Sequence, residues 1–266
     1  ELADIIRKAD DKSQTKEELV TRTFTQIKHL LQVATDYGFD KNLWQNYLTF
    51  LLITNENPFS ITCEKVGANE GSVNYFAKSD IKAFMELFHY DFSALEEYLG
   101  IDCFTRLSNY KAIGKKELMY NKNVSEKVRM LSEKLAAAAD ENEFFDAVTG
   151  FYKAYGVGMF GLNKAFRIQS REDGGVNFCA INNMDAVMLD DLIGYEIQKK
   201  KLVDNTLAFV EGKKANNVLL FGDSGTGKST SIKAIVNEFY DQGLRMIEIY
   251  KHQFKDLSSV IAQIKN

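Results

Sequence analysis

The stretch Val218–Thr230, VLLFGDSGTGKST, decides how this chain is read. Within it Gly222, Gly227, Lys228 and Ser229 satisfy the spacing G-x-x-x-x-G-K-[ST]. The preceding Val218, Leu219, Leu220 and Phe221 are wholly apolar, the pattern of a strand buried on both faces of a parallel sheet. Downstream, Ile232, Ile235, Val236 and Phe239 share one helical face over Ser231–Tyr240. A strand, a glycine-rich loop and a helix in that order are the context a phosphate-binding loop needs. A chance glycine-rich turn lacks both flanks.

The chemistry follows from the residue types. Glycines at 222, 225 and 227 let the backbone take positive φ and approach a ligand, so the amides from Ser224 to Ser229 can converge on phosphate oxygens. A helix N-terminus adds partial positive charge at the same place. Lys228 is placed to reach the β- and γ-phosphates as a point charge, the one catalytic assignment, and the Ser229 hydroxyl to ligate Mg2+. The expected ligand is ATP with Mg2+. Its expected binding residues here are Gly222, Ser224, Gly225, Thr226, Gly227, Lys228, Ser229 and Thr230.

Outward from this stretch, residues 185–215 form a bridge whose helix runs from Glu196 to Val210 and stops at Gly212. Beyond the loop helix, Gly243 ends a turn, Arg245–Tyr250 alternates as a strand, and Leu257–Ile264 reads as a short helix. Upstream, Phe166–Ile168 and Val176–Ile181 flank Glu172-Asp-Gly-Gly175 and predict a β-hairpin. Everything before it carries helical signals. Thr15 and Glu18 form a capping box before a helix that Gly38 ends. Further helices are predicted from Asp40, Asp80, Asp91, Lys127 and Asn142, with loops over 60–72 and 108–124. The fold expected is an α/β P-loop domain, incomplete at its C-terminus, preceded by a mainly α-helical domain. The boundaries are 1–160 helical, 161–189 hairpin and linker, and 190–266 P-loop domain.

Composition narrows the class. The 266 residues are 45% apolar, enough for packed cores, and include a single proline, which favours long helices over a proline-punctuated β fold. Residues 191–266 carry 11 basic and 9 acidic side chains within a chain of net charge -4, so there is no electrostatic footprint for nucleic acid. Cys63, Cys103 and Cys179 lack metal-ligand spacing and read as reduced, buried thiols, fitting a cytoplasmic protein. No run reaches the roughly 18 apolar residues of a membrane span.

The form G-x-x-G-x-G-K-[ST] at 222–229, with LIGYE at 192–196, resembles the AAA+ branch of P-loop ATPases. That resemblance implies that Ile193 and Gly194 lie against an adenine ring. More narrowly, 154–168, 189–239 and 242–249, and more weakly PFSITCE at 58–64, resemble an uncharacterised bacterial AAA+-like ATP-binding family catalogued as a domain of unknown function. Such ATPases also have an acidic strand downstream of the loop that serves Mg2+ and the attacking water. This chain shows none after Gly222. The apolar run Ala186–Leu189 ending in Asp190 and Asp191 lies upstream, where it reads as a helix cap. Only two strands, Val218–Phe221 and Arg245–Ile249, follow the bridge, where a buried parallel sheet needs about five. The expectation is therefore a fragment ending after the second ATPase strand, with little turnover alone.

Two functions follow as expectations. The first is an ATPase whose helical region meets an unknown protein partner, with homo-oligomerisation possible for such a fold. The second is an ATP-dependent binding module or switch. A small-molecule P-loop kinase fits LIGYE and the large helical region less well.

Overall fold

A computed structural model describes residues 2–11, 14–68, 71–112, 121–182 and 184–264. The chain divides into two compact units, Glu1–Leu162 and Asn163–Asn266. It is mostly helical, with one small sheet of three strands.

The first unit contains α1 (Leu2–Asp11), α2 (Lys16–Tyr37), α3 (Leu43–Thr54), α4 (Pro58–Val66) and α5 (Ser72–Phe88). It continues with α6 (Ser93–Leu99), α7 (Cys103–Ser108), α8 (Lys122–Ala137), α9 (Glu141–Tyr155) and α10 (Gly158–Leu162). The capping box at the start of α2 forms as its sequence requires. Glu18 N–H donates to Thr15 Oγ1 at 3.3 Å, and Thr15 N–H donates to Glu18 Oε2 at 3.1 Å. Gly38 ends the helix in the left-handed region at φ 66°. Thr15→Ala should lower the unit's unfolding free energy by about 1 kcal/mol, read from the midpoint of a urea titration. An unchanged midpoint would mean the box is not formed in solution.

The apolar faces of these helices meet in one core. Leu19, Ile27, Leu30 and Ala34 of α2, Val128, Leu131 and Leu135 of α8, and Phe144 and Val148 of α9 are all buried in it. Phe144 sits with its ring centroid 5.5 Å from that of Phe88, edge to face. The aromatic stripe of α3 is core too. Trp44 turns edge-on to Phe92 at 5.2 Å and satisfies its indole N–H on Leu87 O at 2.9 Å, as a half-buried indole must.

Several boundaries differ from the sequence-based expectation, each for a local reason. The cap of α3 is Asn42, whose Oδ1 accepts from Gln45 N–H at 3.1 Å, whereas Asp40 Oδ1 accepts from Lys41 N–H. The expected loop from Ser60 is mostly helix α4. Asn57 caps it, its Oδ1 accepting from Ser60 N–H at 2.9 Å, and Pro58 occupies the first helical position, where its missing N–H costs nothing. The next helix starts at Ser72 rather than Asp80, and Cys103–Ser108 adds a helix that was not expected. Within the expected loop 108–124, Lys122 already belongs to α8 and residues 113–120 lie outside the described residues.

Two of the three thiols are in this core. Cys63 is 1% exposed, and burial raises its thiol above the ordinary range. Burial, with the Glu96 carboxylate nearby, pushes Cys103 up to about 11. Both thiols stay protonated and shielded near pH 8, so a thiol reagent should label Cys179 first and the other two only on unfolding. Three thiols titrating together in the native protein would contradict this packing.

The second unit is built on β1 (Ala165–Ser170), β2 (Val176–Ala180) and β3 (Met246–Glu248), in the order β2-β1-β3. β1 and β2 pair antiparallel as the expected hairpin, in the register Arg167 opposite Cys179. β3 pairs with β1 in parallel, with Phe166 opposite Ile247. The hairpin is therefore more than a connection: its first strand is the centre of the sheet. The helices are α11 (Glu196–Val210), α12 (Lys228–Phe239) and α13 (Leu257–Ile264). Ile168, Val176 and Val260 are buried together, joining α13 to the hairpin. Gln253 Nε2 donates to Ile168 O at 2.9 Å, and Ser170 Oγ donates to Asp256 Oδ2 at 2.6 Å, closing the same contact.

One expectation fails here. Val218–Phe221 forms no strand among the described residues, and most of it faces water, Leu219 83% exposed and Phe221 87% exposed. An apolar run becomes a strand only beside a neighbour that accepts its backbone hydrogen bonds. β1 is already paired on both edges, by β2 and β3.

Candidate functional site

The glycine-rich loop runs from Gly222 into α12 within the second unit. Three glycines take positive φ, Gly222 at 144°, Gly225 at 80° and Gly227 at 81°. A side chain is strained at each of them, and a Cβ on Gly222 would also stand 3.4 Å from Thr226 Oγ1. Gly227 is the residue before α12 and brings no side-chain cap. The first intrahelical bond runs from Ser231 N–H to Gly227 O at 2.8 Å. The N–H groups of Gly227, Lys228, Ser229 and Thr230 consequently have no acceptor among the described residues. By contrast α2, α3, α4, α8 and α9 each carry a capping side chain.

Lys228 lies back across the loop. Its ammonium donates to Gly222 O at 2.9 Å and Asp223 O at 2.6 Å, and stands 3.3 Å from Thr226 Oγ1. Thr226 Oγ1 itself donates to Asp223 O at 2.9 Å. The loop is thus held by its own lysine, and an anion arriving at the amides competes with two neutral carbonyls for that charge. A charge-assisted bond is the stronger partner. The side chains of Ser229 and Thr230 are exposed, as is Ser224. Among the described residues there is no group of three or more His, Cys, Asp or Glu side chains able to hold a metal ion.

Beside the loop is a cleft of about 310 Å³. Leu189, Tyr195, Leu202 and Leu219 line one part of it, and Thr226, Lys228 and Ser231 another, so it joins an apolar wall to the polar loop. The LIGYE segment reaches this cleft differently from the expected arrangement. Ile193 is 95% exposed and does not line it, and Gly194 sits at φ 84° with open space where a Cβ would be. Tyr195, also left-handed at φ 56°, turns the chain into α11 and brings its ring to the cleft. Lys199 secures the turn, donating to Leu192 O at 2.7 Å and pairing with Glu196 Oε1 at 2.8 Å. Tyr195, Leu189 and Leu202 were missed in the sequence. Gln198 and Leu202 are four apart on α11 and share a face, a signal available for Leu202; Tyr195, left-handed and outside the helix, had none.

Asp190 and Asp191 lie in a single turn of 3-10 helix, Leu189–Asp191, and Asp191 Oδ2 accepts from Met188 N–H at 2.8 Å. Asp191 thus makes a capping bond within this turn, and neither carboxylate lines the cleft. Downstream of α12, Glu248 at the end of β3 is paired to Arg167 at 2.6 Å.

A protein family of unknown function (DUF815) matches residues 162–266, a span that includes the second unit. No curated protein and no solved structure matches the chain. Among the described residues, no helix is long and apolar enough to cross a membrane.

Proposed function

We propose that the second unit binds a nucleoside triphosphate, ATP, with Mg2+, through the loop 222–230. The reading rests above all on the run of unpartnered amides from Gly227 to Thr230, at a helix N-terminus that no side chain caps, with a lysine ammonium in the same loop. Such an end attracts a group with several negative oxygens, and phosphate is the ordinary one. The cleft adds an apolar wall of the size and kind that suits a base and ribose. The residues fit the group: Lys228 to the β- and γ-phosphates, the amides of 225–230 to their oxygens, and the Ser229 hydroxyl to Mg2+ beside them. The loop belongs in this reading to a P-loop domain of the AAA+ kind, the finer family suggested by LIGYE and GDSGTGKS.

Hydrolysis that drives a conformational step is the first role, with the helical unit meeting a protein partner in the cytoplasm. A nucleotide-held switch with little turnover is the second role, favoured by one observation: the acidic groups at the ends of the apolar runs on either side of the loop are engaged, Asp191 in a capping bond and Glu248 in an ion pair. Titration calorimetry with ATP and with inorganic triphosphate tests the binding and its base end together. Tyr195→Ala should weaken ATP several-fold more than triphosphate, because it removes ring contact at the apolar wall and nothing at the loop. Equal losses would count against a base in this cleft, and Ile193→Ala, measured alongside, tests the position that the resemblance implied.

A further inference from the structure

We infer that Asn237 of α12 is a positioning residue of the nucleotide cleft: its side-chain amide fixes the segment 185–188, and through it the place of Leu189 in the apolar wall. The inference rests on the nucleotide reading above and concerns a residue that does not itself line the cleft.

Both N–H groups and the oxygen of this amide are used. Nδ2 donates to Asp185 O and to Val187 O, each at 2.9 Å, and Oδ1 accepts from Lys164 Nζ at 3.2 Å. The lysine cation requires the oxygen on its own side, so the two N–H groups face the carbonyls. Residues 184–188 belong to no helix or strand. A segment without backbone pairing takes its place from such side-chain bonds. Lys233, one turn earlier on α12, adds an ion pair with Asp185 at 2.6 Å. That aspartate side chain is 72% exposed, and an exposed pair contributes little. The directional hold is that of Asn237.

From Val187 the placement reaches the cleft within two residues. Met188 N–H donates to Asp191 Oδ2 at 2.8 Å, and Asp191 N–H donates to Met188 O at 3.1 Å, so the turn Leu189–Asp191 is closed on the residue next to the held carbonyl. The turn packs on α12, and Leu189 is the member of it that lines the cleft. The same helix begins at Lys228 and carries Ser231, both of which line the polar part. One rigid element therefore holds the phosphate end directly and the apolar wall through Asn237. Without the amide, 185–188 loses its two directional ties and Leu189 its fixed place, while the amides of 227–230 keep theirs.

Titration calorimetry of the full chain with ATP and with inorganic triphosphate tests this. Asn237→Leu and Asn237→Asp both remove the two donors; the aspartate keeps the bond from Lys164 and so guards against loss of the fold, which circular dichroism checks. Each should weaken ATP roughly three- to tenfold, the scale of one apolar side chain's contact, and leave triphosphate unchanged. General loosening of α12 would instead lower both ligands together, because the loop amides begin that helix. Leu189→Ala should weaken ATP in the otherwise unaltered chain but add little in either Asn237 variant. Equal losses for the two ligands, no loss for either, or a Leu189→Ala effect of the same size in every background would each overturn the inference and leave the nucleotide reading standing. An unaltered chain that binds triphosphate as tightly as ATP would remove the base wall and this inference together, and one that binds neither would remove the phosphate site as well.

Discussion

Lys228→Ala is expected to weaken nucleotide binding roughly ten- to 150-fold, the equivalent of one charge-assisted hydrogen bond at about 1.5–3 kcal/mol. The ammonium already lies in the loop, bonded to Gly222 O and Asp223 O, so its transfer to a phosphate needs a side-chain rotation rather than a rearranged backbone. The substitution also frees those two carbonyls. Both are solvent-exposed, so water replaces the lost bonds and folding stability should change little. The two readouts therefore separate: calorimetric affinity should fall while the thermal midpoint without ligand stays nearly constant. Unchanged affinity would remove the loop from the binding site, whatever the cleft holds.

Phe144→Ala should have the largest effect on the helical unit, about 3–5 kcal/mol of unfolding free energy. The ring is 0% exposed and packs edge to face on Phe88 and against Phe84, so truncation leaves a cavity between α5 and α9 as well as losing buried apolar area. A domain's whole stability is of the same order as that loss. Chemical denaturation followed by helical circular dichroism should show a much earlier transition. A small shift would mean that α5 and α9 can close over the gap, and that the core is looser than its buried rings suggest.

Much of the helical unit was legible because its signals are local. Thr15 with Glu18, and Gly38 after α2, act within a turn or two, through hydrogen bonds and positive φ that depend on near neighbours alone. Helix α4 was equally local, since Asn57 followed by Pro58 is a start signal, yet the stretch from Ser60 was read as a loop. The loop's glycines belong to the same class: Gly222, Gly225 and Gly227 take the positive φ that their spacing implied.

What the sequence determined by itself was this short-range chemistry: which residues cap, which turn, and which stretch offers amides and a lysine together. The tertiary structure decided everything that depends on a distant neighbour. Val218–Phe221 has a strand's composition, but pairing is a property of two segments, and β1 accepted Met246–Glu248 in that place. Tyr195, rather than Ile193, lines the cleft because two successive left-handed residues, Gly194 and Tyr195, turn the chain as it enters α11. A side chain's direction after such a turn follows from the packing around it, and no periodicity in the sequence encodes that.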